Sequence, residues 1–254
     1  MKKVLFDIYH LPQYNFFKNA IKKLGPEKVD LSCVNRGKLA AIIKHECPEF
    51  NLHILGDYRH NSGPVGMTAK IILPRLRGLS RLMTKNDYEV VATAHYQANF
   101  VAKLKGIPNF SILDDPRAGV IQIVNYAADE FYLPPFEDDY KNVKKFNALK
   151  EWAYLSPTYF KPNSAILEEY GLKPKDYFFV REVSTRTSNY LTQQKNIVLN
   201  LADKFPTDKK VVLSLENKEN RDEYPPDWII LKEPVGDIHS LMYYSAMVIS
   251  SGDS

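Results

Sequence analysis

Short apolar runs of strand length alternate with amphipathic stretches of helix length along most of this chain, and that alternation constrains its fold more than any other feature. "KKVLFDI" (2–8) reads as a strand, and the helix "PQYNFFKNAIKKLG" follows it, stopping at Gly25. "VDLSCV" (29–34) and "NLHILG" (51–56) predict two further strands, with a helix near 38–45 between them. A helical stretch over 67–85 leads to the strand "YEVVATA" (88–94), and "NFVAKLKG" leads to "NFSILDD" (109–115), with "EFYL" (130–133) as a sixth strand. The pattern pauses over 134–176, rich in Pro, Tyr and Lys, with helical pieces expected near 139–149 and 163–171. It then restarts with "DYFFVRE", "KKVVLSL", "DWIIL" and "AMVISS", with helices near 190–204 and 237–244. Strands joined by helices call for parallel sheets covered on both faces. The expectation is therefore an α/β protein of two Rossmann-like domains, residues 1–150 and 151–254.

Charge supports that division. Residues 1–150 carry 22 Lys/Arg against 15 Asp/Glu, whereas residues 151–254 carry 12 against 15. No apolar run is long enough to span a membrane, and Asp7 and His10 interrupt the N-terminal segment before it reaches the length of a secretory core. Two cysteines, Cys33 and Cys47, show no metal-ligand spacing and read as incidental thiols of a cytoplasmic protein.

Open parallel sheets take ligands at the carboxyl ends of their strands, where the strand order reverses. With the order 3-2-1-4, that crevice in the first half is flanked by Asp7, His10 and His95, with Asp114 and Asp115 ending the neighbouring strand. His10 or His95 could activate an acceptor hydroxyl as a general base, and Asp7 is a rival base or a cap for the helix near Pro12. Asp114 and Asp115 are adjacent carboxylates, which alone make no metal site. In the second half the crevice lies between residues 181–186 and 250–254. Arg181 suits a diphosphate, Ser184, Thr185 and Thr187 add hydroxyls, and the turn Ser250, Ser251, Gly252, Ser254 lets backbone N–H groups approach an anion. A surface ion pair of Arg181 with Glu182 or Asp176 is the plainer alternative. No GxGxxG or Walker pattern is present.

Four stretches resemble the domain-of-unknown-function 354 family, whose members look like GT-B glycosyltransferases. In "LFDIYHLPQYNFFKNAIKKL" the residues Asp7, Ile8, Pro12, Phe16 and Phe17 match its N-terminal motif. "LKEWAYLSPTYFKP", "FFVREVSTRTSNY" and "LMYYSAMVISSGDS" are similar to its central, donor-strand and final-turn segments. The resemblance implies two Rossmann-like domains facing across a cleft. A nucleotide-sugar donor would bind on the second domain, at Arg181, Ser184, Thr185, Ser250, Ser251, Gly252 and Ser254. The acceptor would bind on the first, near Gln13, Asn15, Asp114 and Asp115. It also implies no metal and no cofactor, and a chain continuing past Ser254, so that the second domain is incomplete here and binds nucleotide sugar weakly.

The stretch "MTAKIILPRLRGLSRLMTK" (67–85) places Ile72, Leu76, Leu79 and Met83 on one helical face and Lys70, Arg77, Arg81 and Lys85 on another, and no acidic residue occurs from Tyr58 to Asn86. Packing with a solvated basic face is the commoner use of such a helix; peripheral contact with an anionic membrane at its inner face is the alternative. Pro74 and Gly78 argue against one straight helix. Nucleic acid is not expected, because the basic residues lack interleaved aromatics. The expected function is transfer of a nucleotide-activated sugar to a sugar or lipid-linked acceptor in surface-polysaccharide or glycolipid synthesis. A non-hydrolysing nucleotide-sugar epimerase and a non-catalytic nucleotide-sugar-binding protein are the alternatives.

Overall fold

The computed structural model describes residues 2–57, 71–113, 121–137, 140, 143–182, 196–215, 218–232, 235 and 237–250. It divides into two compact units, Met1–Phe160 and Lys161–Ser254. The division falls ten residues later than the sequence places it, because the helix over Trp152–Leu155 packs on the first unit.

In the first unit, strands β1 (Lys3–Ile8), β2 (Val29–Asn35), β3 (Asn51–Asp57), β4 (Tyr88–Thr93), β5 (Asn109–Ile112), β6 (Glu130–Leu133) and β7 (Val143–Lys145) form one sheet in the order β3-β2-β1-β4-β5-β6-β7. Every pairing is parallel. The connecting helices are α1 (Leu11–Leu24), α2 (Leu39–Glu46), α3 (Leu73–Lys85), α4 (Tyr96–Leu104) and α5 (Ile121–Ala127). Period-two alternation assigns each strand residue to one face. Phe6 and Ile8 of β1, Leu31 and Cys33 of β2 and Ala92 of β4 pack with Tyr14, Phe17 and Ile21 of α1 and Ile43 of α2. Leu5 and Val91 face the other way, onto Leu79, Leu82 and Met83 of α3 and Ala98 and Val101 of α4. Burying a side chain such as Phe17 or Ile21 fully contributes about 1.5–3 kcal/mol, so helices on both faces stabilise the sheet by shielding it from water.

Two elements depart from expectation. The helix expected over 139–149 is replaced, among the described residues, by the strand β7, whose Val143 joins the core under α5. The long helix expected over 67–85 is regular only from Leu73. Pro74 sits in its first turn, where its missing N–H costs nothing. Gly78 lies inside it because a Cβ there would come within 3.1 Å of the Leu55 side chain. The apolar face of α3, with Leu79, Leu82 and Met83, is spent on the sheet, while Arg77, Arg81 and Lys85 are exposed. Residues 67–70 lie outside the described residues.

A short helix, α6 (Trp152–Leu155), closes the first unit. Asn19 of α1 donates to the Ala153 carbonyl at 2.8 Å, and Tyr154 is buried with the Lys18 ammonium 5.8 Å from its ring centre.

The second unit is a four-stranded parallel sheet of β8 (Tyr177–Glu182), β9 (Lys210–Leu215), β10 (Ile229–Ile230) and β11 (Met247–Ile249), in the order β10-β9-β8-β11. Helices α7 (Ala165–Glu169) and α9 (Ile238–Tyr244) pack with Tyr177, Phe179 and Val212, while α8 (Ile197–Asn200) covers the opposite face with Val180, Val211 and Leu213. Asp237 caps α9 by accepting from the Ser240 N–H. Met247 and Val248 of β11 are exposed.

Candidate active site

In both sheets the strand order reverses beside the first strand, between β1 and β4 and between β8 and β11. The crevice at each carboxyl edge is where the sequence places its candidates.

The first crevice is built on a row of polar side chains inside the sheet. Parallel register sets Ser32 beside Asp7, Asp7 beside Thr93 and Thr93 beside Ser111, across four strands. All four are fully buried, as is Arg75, which reaches the row from α3. Arg75 Nη2 lies 2.7 and 2.8 Å from the two Asp7 oxygens, and its Nη1 donates to the Leu55 carbonyl at 3.3 Å. Ser32 donates to Asp7 at 2.7 Å and Thr93 at 3.4 Å. A buried charge pair costs several kcal/mol of desolvation per ion unless its remaining hydrogen-bonding capacity is filled; here hydroxyls from two neighbouring strands fill it on the acid. Asp7 is therefore an anchor. It is neither a free base nor the cap of α1, whose first turn is closed by Gln13 accepting from the Tyr9 and His10 N–H groups at 2.8 and 3.2 Å.

One pleat further on stand Tyr9 and His95. Their rings stack in parallel, 4.0 Å apart with 4° between planes. The Arg75 guanidinium lies 5.2 Å from the Tyr9 ring centre and that of Arg36 5.8 Å. The His95 N–H donates to Thr93 Oγ1 at 3.0 Å, which fixes the backbone where α4 begins. His95 Nδ1 is buried and has no hydrogen-bond partner among the described residues. Burial first, and then the positive charge of Arg75, with His10 and Arg36 behind it, hold the His95 imidazole well below the ordinary histidine range. At neutral pH this ring is uncharged.

His10 has a different task. Its Nε2 lies 3.0 Å from Arg36 Nη1. A guanidinium only donates, so Nε2 accepts. Gln13 Nε2 donates to the Ala94 carbonyl at 3.0 Å, bracing β1 against β4. Its amide thus shapes the crevice floor. Asn15 is partly exposed on α1. Pro12, Gln13, Phe16, Ala94, Ile112 and Lys150 line a mostly apolar pocket of about 20 Å³ beside this floor. Asp114 and Asp115 lie outside the described residues. Arg75 is a site residue that the sequence reading lacks.

Cys33 sits near this cluster, and burial pushes its thiol up to about 12. Among the described residues no three His, Cys, Asp or Glu side chains gather as a metal site would require.

At the second crevice, Ile249 of β11 pairs with Val180 of β8, so Ser250 follows alongside Arg181. Glu182 turns into the fold, accepting from the Val198 N–H at 2.8 Å and from Tyr224 at 3.3 Å. It thereby ties β8 to α8 and points away from the neighbouring Arg181 by strand alternation. Ser184, Thr185, Ser251, Gly252 and Ser254 lie outside the described residues.

No family model and no curated protein matches this sequence. Solved structures do match. The chain is similar to a UDP-N-acetylglucosamine 2-epimerase from Rickettsia bellii, with 15% identity and a TM-score of 0.64 over 98% of this chain and 74% of that one. It is similar to MnaA of S. aureus, solved with UDP, at 16% identity and a TM-score of 0.64, covering 99% of this chain and 75% of that one. The spinosyn forosaminyltransferase SpnP gives 12% identity and a TM-score of 0.59 over 100% of this chain and 76% of its own. At such identities the likeness speaks for the fold, and the fold of this chain is α/β, of parallel sheets, like that of the GT-B proteins.

Proposed function

We propose that this protein, a relative of the domain-of-unknown-function 354 family, is a cytoplasmic, metal-independent transferase of a nucleotide-activated sugar to a sugar or lipid-linked acceptor. The observation that carries the reading is His95: a neutral imidazole with an unpartnered Nδ1, at the strand-order reversal of the first unit. In this reading the acceptor binds the first unit and its hydroxyl gives a proton to His95 as the oxygen bonds to the sugar's anomeric carbon. The bond from that carbon to the diphosphate breaks, and the nucleoside diphosphate leaves with the electron pair. Arg181, at the end of β8, binds the diphosphate. The solved structures of similar fold act on, or were solved with, UDP or UDP-sugars, or carry a glycosyltransferase name, which supports the substrate class. No described helix is long and apolar enough to cross a membrane, and with Leu79, Leu82 and Met83 of α3 in the core, an anionic surface would meet the exposed Arg77, Arg81 and Lys85.

A second reading, non-hydrolysing epimerisation, is favoured by the similarity to UDP-N-acetylglucosamine 2-epimerases. One experiment separates the two. The full chain is incubated in D₂O with UDP-, GDP- and CMP-sugars, with and without sugar and lipid-linked acceptors, and followed by NMR. Nucleotide (UDP, GDP or CMP, according to the donor) released only with acceptor supports transfer. Deuterium entering the sugar ring without acceptor, together with a new epimer, supports epimerisation and overturns the first reading.

A further inference from the structure

We propose that Arg75 is the positioning residue of His95: anchored by Asp7, it fixes the imidazole from the backbone side through Thr93 and from the ring side through Tyr9. The inference rests on His95 acting as the base.

Two routes lead from the ion pair to the imidazole. Along the first, Thr93 Oγ1 accepts the His95 N–H at 3.0 Å and lies 3.4 Å from both Asp7 Oδ2 and the His95 carbonyl oxygen, so one hydroxyl joins the buried carboxylate to the start of α4. Along the second, the Arg75 guanidinium lies 5.2 Å from the Tyr9 ring centre, and the Tyr9 ring stacks on His95 at 4.0 Å. A cation over an aromatic ring and a parallel ring stack each restrict rotation of a planar side chain. His95 is thus held at both its main chain and its ring by groups that converge on one buried pair. Tyr96 adds a tilted contact from α4 at 4.5 Å.

The charged and titratable groups around the imidazole are Asp7 and Tyr9 from β1 and its end, His10 beyond them, Arg36 after β2, Arg75 on α3 and Tyr96 on α4. Of these, Arg75 contributes the largest electrostatic push against a proton on His95, second only to burial. Loss of Arg75 removes that push and also loosens the stack that keeps water away. Both changes favour the charged imidazole.

The test uses the full chain with ¹³C/¹⁵N-labelled histidine, and a His95→Gln variant to assign the His95 signals. Removing Arg75 alone would strand Asp7, so the informative variant is the neutral pair Asp7→Asn/Arg75→Met. Tyr9→Leu is the companion, because it leaves the ion pair whole and cuts only the ring route. The proposal expects His95 to titrate at higher pH in both variants than in the parent. It expects kcat for acceptor-dependent nucleotide release to fall by up to about a hundredfold, the scale of a misplaced reacting group, with little change in KM for the nucleotide sugar. The acid limb of the pH–rate profile moves up with the titration. Unchanged His95 titration in both folded variants, or in Tyr9→Leu should the pair fail to fold, would overturn the proposal. Should the titration move while no form shows turnover, the positioning role stands and the transferase reading is the one that fails.

Discussion

Asp7 without Arg75 would be a fully buried carboxylate with two hydroxyls for company. Removing one member of a buried ion pair costs about 3–5 kcal/mol, while replacing both by neutral groups of similar volume is often close to neutral. Arg75→Met should therefore lower the urea midpoint far more than Asp7→Asn/Arg75→Met does, and equal losses would mean that the pair is not coupled as the distances indicate. His95 gives a pH test at the same scale. Its folded-state value lies below the ordinary histidine range, so on acidification the unfolded chain takes up a proton that the folded chain refuses. This component of stability is complete above an ordinary value of about 6.5 and is lost as pH falls toward the folded value. The slope is at most about 1.4 kcal/mol per pH unit. Denaturation of parent and His95→Gln between pH 7 and 5 should show the gap between them narrowing or reversing as pH falls; parallel curves would contradict the buried neutral ring. His95 was legible in the sequence because it follows a strand at the predicted reversal. Arg75 was not. It sits among Arg77, Arg81 and Lys85 in a stretch without acids, and its partner is 68 residues away, so nothing local distinguishes the buried cation from the solvated ones.

At the scale of elements, strands were legible wherever an apolar run of strand length filled a doubly covered sheet, as in "VDLSCV" or "KVVLSL". The edge strand β7 was not, because "VKK" is short and charged and its pairing with β6 is set by tertiary contact. Gly78 in α3 was read as a helix breaker, yet its role is steric. A Cβ there meets Leu55 Cδ2 at 3.1 Å. Gly78→Ala gains about 1 kcal/mol of helix propensity, which a small shift of Leu55 would offset, leaving stability nearly unchanged. Gly78→Val adds branches that the strand cannot yield to and should cost about 1–3 kcal/mol. Combining it with Leu55→Ala should recover part of that loss in a double-mutant cycle, and strict additivity would show that the contact is not the cause.

At the scale of the whole molecule, each unit has its own core. The clusters that hold the first sheet draw only on residues from Val4 to Val143, and those of the second only on residues from Ile166 to Ile249. Opposite charge balance and the pause over 134–176 made two units legible, but the sequence placed their boundary at 150, inside that pause. Packing assigns it otherwise. Tyr154 is buried, Lys18 of α1 lies near its ring, and Asn19 of α1 binds the Ala153 carbonyl, so α6 is a part of the first unit that its own few residues could not stabilise as an isolated helix. A fragment of residues 1–160 should fold cooperatively and keep the neutral His95, whose named partners Asp7, Tyr9, Arg75 and Thr93 it contains. A fragment of residues 1–150 exposes the α1 surface that Tyr154 covers and loses the Asn19 hydrogen bond. Burial of a large side chain and one hydrogen bond together are worth about 2–4 kcal/mol, less the entropy of ordering the segment, so the shorter fragment should be less stable by about 1–2 kcal/mol in urea. The same midpoint for both fragments would show that α6 contributes nothing and that the unit ends where the sequence pattern breaks.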